Sequence, residues 1–209
     1  MTTYYKATRT DGTSFQDFVT CWEVGKTTRL NGGDLPYLSV STTPTDCTGF
    51  SWPCRLFEVA PVRGRKVTAP NDGLPNKRGS DAWRVVRELP AHEAFGPQGA
   101  SVVALVERAG RLTEDEGEQL SAAGDAAGDA AWYAAGDAAW YAARYAAWYA
   151  ARDAARYAAW YAARDAARGF VCRDLIGGIF TQAHYDTLTI PWRTVIGPVH
   201  PDDAKVHRA

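Results

Sequence analysis

Up to about residue 95 the apolar and β-branched residues come in short runs closed by turn signals, a pattern of strands. "TYYKATR" ends at Asp11-Gly12, "FVTCWEVG" closes at Gly25, and "LPYLSVSTTP" is bounded by Pro36 and Pro44. In "CRLFEVAPV", Leu56, Glu58 and Ala60 alternate with Arg55, Phe57 and Val59, which predicts a strand ending near Pro61. "AWRVVRELP" predicts another, stopped by Pro90. Between these two, "RGRKVTAPNDGLPNKRGSD" concentrates Gly, Pro, Asn and basic residues and predicts an exposed loop.

The period then changes. "PQGASVVALVERAG" clusters Val102, Val103, Leu105 and Val106 on one side and ends at Gly110, which predicts a short helix within 96–111. In "LTEDEGEQL", Thr113 stands three residues before Glu116, the spacing of a capping box, and acidic residues fill a first turn where the helix dipole favours them. A new helix therefore starts near Glu114.

From Gly124 to Arg168 the chain reads in tetrads: "GDAAGDAAWYAAGDAAWYAARYAAWYAARDAARYAAWYAARDAAR". Alanine at half the positions favours helix over strand. One helix from 114 to 168 would be about 80 Å long, at about 1.5 Å per residue. Gly124, Gly128 and Gly136 are where it would break into a hairpin, at about 1 kcal/mol each against alanine. A period of four drifts by about 40° per tetrad, so Trp132, Trp140, Trp148 and Trp160 point in different directions and no single coiled-coil seam forms. Arg144, Trp148 and Arg152 are spaced for cation-π stacking, and Tyr141, Tyr145 and Tyr149 for an aromatic ladder. So many aromatics around one helix imply a contact surface made of Trp132, Tyr133, Trp140, Tyr141, Tyr145, Trp148, Tyr149, Tyr157, Trp160 and Tyr161. The plainer alternative is a spacer lengthened by repeat expansion.

Residues 170–209 return to ordinary sequence. A hydrophobic run around Gly177-Gly178 leads to a β-prone "TLTI" ended by Pro191, which predicts a segment folding back on the first domain. "GPVHPDDAKVHRA" reads as a loose terminus.

Composition narrows the function. A 209-residue chain that is 46% hydrophobic can bury a core in one or two small domains. Its formal net charge of -1, from 23 basic and 24 acidic residues, supplies no global field toward nucleic acid or an anionic membrane. No basic segment followed by an apolar run opens the sequence, and no apolar run of about 18 residues occurs, so the expectation is cytoplasmic with no membrane partner. Cys21, Cys47, Cys54 and Cys172 are too irregularly spaced for a zinc site and read as free thiols, although Cys47 and Cys54 are close enough in sequence to bridge. His92, His184, His200 and His207 are scattered singly, so neither a metal nor another cofactor is implied.

A small β-rich domain followed by "AAWYAARDAA" tetrads, with "LSVSTTPTDCTGFSWPCRLFEVAPV" as the domain core, resembles uncharacterised proteins of actinobacteria and their bacteriophages. This implies a bacterial or phage-infected cell, or association with a virion, and no particular activity. A second resemblance is to ADP-ribosyltransferases of the Arg, Ser-Thr-Ser, Glu type: Arg9 follows "YYKAT", Ser41-Thr42-Thr43 follows "YLSV", and Glu88 ends "RVVRE". It implies that Arg9, Ser41 and Glu88 hold NAD and stabilise the charge that develops as nicotinamide leaves. The chain departs from that pattern by carrying Ser-Thr-Thr and, with Val86 two residues before Glu88, a single glutamate.

The combined expectation is an α+β protein: a β-rich domain over 1–95, a short helix in 96–111, an Ala-rich helix or helical hairpin over 112–169, and a C-terminal segment over 170–209. The leading function is non-catalytic self-association or docking through the repeat, with itself or another protein as partner. The alternative is an NAD-dependent transferase acting through Arg9, Ser41 and Glu88, and the third is a single-stranded nucleic-acid binder. Five Arg and five Asp cancel over residues 124–168, which weakens the last.

Overall fold

The computed structural model describes residues 2–31, 35–47, 50–70, 74–127, 159–176 and 180–203. They fall into two compact units, Met1–Ala94 and Phe95–Ala209. The chain is α+β, with an antiparallel sheet in the first unit and four helices among the described residues of the second.

The sheet contains β1 (Tyr4–Thr8), β2 (Thr27–Arg29), β3 (Leu38–Ser41), β4 (Arg55–Pro61), β5 (Lys77–Ser80) and β6 (Ala82–Leu89), in the order β2-β6-β4-β1-β3-β5. Four of the predicted runs supply β1, β3, β4 and β6. Val86 is skipped where β6 pairs with β4, a bulge between the Glu58 and Val59 pairings. One face buries Tyr4, Trp22, Leu38, Val40, Phe57, Val59, Trp83 and Val85. The indole N–H of Trp83 donates to the Leu38 carbonyl and that of Trp22 to Ser14 Oγ, both at 2.9 Å, so neither large core side chain buries an unmet donor.

Two expectations change in this unit. "FVTCWEVG" is a loop with an isolated bridge from Thr13 to Cys21, and the strand follows it at Thr27. The Asp17 carboxylate accepts from the backbone of Val19 and Thr20, a local arrangement that competes with a ladder and leaves Phe18 and Val19 exposed. The predicted basic loop ends in strand β5, paired with β3 along its length. Gly79 permits this, because a Cβ there would meet the Tyr37 ring at 2.8 Å.

The second unit holds α1 (Gly99–Ala109), α2 (Glu114–Ala127), α3 (Ala159–Ile176) and α4 (Gln182–Val195). Helix α1 buries Val102, Leu105, Val106 and Ala109, and Gly110 closes it. The capping box at α2 forms in both directions: Glu116 N–H to Thr113 Oγ1 at 3.2 Å, and Thr113 N–H to Glu116 Oε2 at 2.9 Å. Helices α2 and α3 pack on each other and on α4, and the expected Ala-rich helix or hairpin between them, residues 128–158, lies outside the described residues.

Helix α3 buries Ala162, Ala163, Ala166 and Ala167, the alanine pairs of two tetrads. At Gly169 a Cβ would lie 2.9 Å from Thr189 Cγ2 and 3.3 Å from Leu188 Cβ, so α3 and α4 meet almost backbone to backbone. The predicted strand "TLTI" is part of α4, and Pro191 lies inside that helix. Helix wins because Thr181 and His184 cap it reciprocally and because it packs on α2 and α3; the Thr189 hydroxyl is met within the helix by the Tyr185 carbonyl, at 2.8 Å. Nor is residue 197 onward loose throughout: Val199, His200 and Asp203 are buried. No helix among the described residues is long and apolar enough to cross a membrane.

Candidate functional site

Of the residues implied by the transferase resemblance, Ser41 and Glu88 stand on opposite faces of the sheet. Ser41 pairs with Tyr5 and shares its face of the sheet. Glu88 pairs with Phe57, which pairs with Lys6, so Glu88 stands on the opposite face. Strands β1 and β4 separate them, three spacings of about 4.8 Å or roughly 14 Å. Each is otherwise engaged. Glu88 takes two hydrogen bonds from the Arg55 guanidinium, at 2.9 and 2.6 Å, which holds its carboxyl below the usual range. Ser41 Oγ donates to the Asp46 carbonyl at 2.9 Å, and the Arg9 guanidinium lies over Phe18, 5.3 Å from the ring centroid.

Of the predicted self-association residues, Trp132, Tyr133, Trp140, Tyr141, Tyr145, Trp148, Tyr149 and Tyr157 lie outside the described residues. Trp160 and Tyr161 fall in the first turn of α3. The cysteines Cys21, Cys47, Cys54 and Cys172 are free thiols, and burial pushes the Cys47 thiol up to about 11.

A polar cluster that sequence reading missed ties the chain's later residues to α3 and α4. Asp203 accepts from the Tyr185 hydroxyl at 2.6 Å and from the N–H groups of Val199 and His200, both at 3.0 Å. The Arg173 guanidinium covers the Tyr185 ring at 4.7 Å. His200 Nδ1 accepts from Asp202 N–H at 3.1 Å, so Nε2 carries the hydrogen that meets Asp174 Oδ1 at 3.1 Å. Both ring nitrogens are thereby occupied, which makes this pair a fastening and leaves no free base. Among the described residues, no group of His, Cys, Asp and Glu is arranged to hold a metal.

The other missed feature is Lys6. It occupies an inward position of β1, between Tyr4 and Thr8, and is 5% exposed. Its Nζ donates to Gln16 Oε1 at 2.9 Å and to the Ser39 carbonyl at 3.1 Å, and lies 5.3 Å from the centroid of Trp22. Burial pulls its ammonium down from 10.5 to about 8, and nearby Lys77 adds to that. An open cavity of about 160 Å³ adjoins it, lined also by Ser14, Gln16, Tyr37, Ser39 and Lys77. In "TYYKATR" alternation puts Lys6 on the face of Tyr4, but Tyr5 and Ala7 make the other face at least as apolar, so nothing in the sequence marks Lys6 as pointing inward.

No family model, no characterised protein and no solved structure matches this chain.

Proposed function

We propose that the chain is a non-catalytic interaction protein whose tetrad repeat associates with a second copy of itself or docks on another protein. The carrying observation is that the last tetrads bury Ala162, Ala163, Ala166 and Ala167 in helix packing. Alanine pairs put little bulk between helices, so a neighbouring backbone can come close. The Trp and Tyr pairs of the preceding tetrads add broad contact area with polar tips. Because each tetrad turns by about 40°, one neighbouring helix cannot cover all of them, and a further surface is needed. Matched Asp and Arg limit nonspecific association and disfavour nucleic acid. The resemblance to phage and actinobacterial proteins gives the setting.

The test is light scattering coupled to size exclusion on the full chain and on a variant with Trp140→Ala and Trp148→Ala. The wild type should be oligomeric, and the variant should lose mass while its helical circular dichroism persists. A monomeric wild type would overturn self-association, and an unchanged oligomer in the variant would overturn the role of the tryptophans.

A further inference from the structure

The geometry points to the cavity beside Lys6 as a binding site for a small oxyanion, a phosphate group or a carboxylate, held by Lys6, Lys77, Ser14 and Gln16. The site belongs to residues 1–94 and is independent of the repeat.

A buried ammonium normally pairs with a carboxylate, because its desolvation is otherwise uncompensated. Among the described residues Lys6 has no such ion pair: its two hydrogen bonds go to the neutral oxygens of Gln16 and Ser39. Asp17 contributes an attractive field, but its carboxylate is bonded to Val19 and Thr20. The adjoining cavity is where a counter-ion fits. Among the described residues no acid lines it, and Lys77 brings a second positive charge.

The polar lining is rich in donors. Lys6 keeps a third N–H after its two hydrogen bonds. Ser14 Oγ accepts from the Trp22 indole at 2.9 Å, which leaves its own hydroxyl hydrogen to give. An ammonium can only donate, so the Gln16 atom it meets is Oε1, and the Nε2 amide of Gln16 remains a donor. Lys77 lines the cavity too, and its charge is near enough to act on that of Lys6. Such a set suits a group that only accepts, and charge-assisted bonds from ammonium to oxyanion are the stronger kind. A cavity holding one water needs about 10–15 Å³ of such space, so about 160 Å³ admits a tetrahedral oxyanion with room to spare.

Calorimetric titration of the full chain with sodium sulfate, inorganic phosphate and acetate tests this. Saturable binding of one anion per chain is expected, weakened roughly tenfold by Lys77→Gln, the loss of one charge-assisted contact, and abolished by Lys6→Met. If Lys6→Met does not fold, as judged by circular dichroism, Lys77→Gln and Ser14→Ala carry the test through weakened binding. Tighter binding of sulfate and phosphate than acetate assigns a phosphate-like group, and the reverse order assigns a carboxylate. No binding of any of the three, or binding unchanged in Lys77→Gln and Ser14→Ala, overturns the site.

Discussion

Trp22 covers the ammonium of Lys6, with Nζ 5.3 Å from the ring centroid, and the indole and the lysine are 1% and 5% exposed. The ring quadrupole and two neutral oxygens partly compensate a cation that burial disfavours.

That compensation has a pH signature. The folded chain holds the Lys6 proton only to about pH 8, whereas an unfolded lysine holds it to 10.5. Between those values the unfolded state binds more protons, so the Lys6 contribution to stability rises with pH through that window. Below it the charged lysine is a liability of about 3 kcal/mol. Cys47 titrates the other way, since burial keeps its thiol protonated to about 11 while the unfolded thiol ionises near 9.0. The comparison must therefore be differential. Urea unfolding of wild type and Lys6→Met at pH 7 and pH 10.5 should show the variant's relative stability falling by about 3 kcal/mol at the higher pH. A pH-independent difference would mean that the amine is not perturbed.

Asp203 should govern the order of residues 199–203. Burial pushes its carboxyl up, but the Tyr185 hydroxyl and the N–H groups of His200 and Val199 outweigh burial and hold it below 3.8. A depressed carboxylate contributes stability above its unfolded value that is lost as pH falls through the folded one. Asp203→Asn should cost about 2–3 kcal/mol at pH 7 by weakening hydrogen bonds to a charged acceptor, and the cost should shrink at pH 3. Hydrogen exchange at the Val199 and His200 amides reads it directly: their protection should drop in the variant while that of α1 is unaffected.

These two sites mark where sequence was informative and where it was not. Local patterns sufficed for Thr113 and Glu116, whose capping box depends on four consecutive residues, and for β4, whose alternation reports two differently packed faces. They failed at Pro191 and Thr189. A β-branched, proline-containing stretch reads as strand, yet the Thr189 hydroxyl meets the Tyr185 carbonyl one turn back and its neighbours pack on α3. They failed again at Asp203, which looks like tail until Tyr185, 18 residues earlier, is brought to it. Lys6 was not legible: Tyr5 and Ala7 make the other face of its strand at least as apolar, and Gln16, Ser39 and Lys77 reach it only through sheet pairing and the loop after β1.

Glu88 offers a direct discrimination between enzyme and binding protein. It is 42% exposed and paired with Arg55, and exposed pairs contribute about 0–1 kcal/mol. Glu88→Gln should shift the unfolding free energy by less than about 1 kcal/mol. The same variant assayed for release of nicotinamide from NAD should match wild type. A turnover present in wild type and absent in Glu88→Gln would restore the transferase assignment.

Gly169 sets two opposing effects against each other. Alanine in a helix interior is favoured over glycine by about 1 kcal/mol, so Gly169→Ala would stabilise an isolated α3. In the packed unit the new methyl would come within 2.9 Å of Thr189 Cγ2 and 3.3 Å of Leu188 Cβ. Neither can yield easily, because Thr189 is fully buried with its hydroxyl bonded to Tyr185, and Leu188 Cβ moves only with its backbone. Overpacking at such a contact costs about 1–3 kcal/mol, which exceeds the propensity gain. Gly169→Ala should therefore lower the thermal midpoint, and adding Thr189→Ala should relieve the clash, making the pair less destabilising than the sum of its single changes. Additive losses would mean that α3 and α4 do not approach as closely as Gly169 and Thr189 indicate.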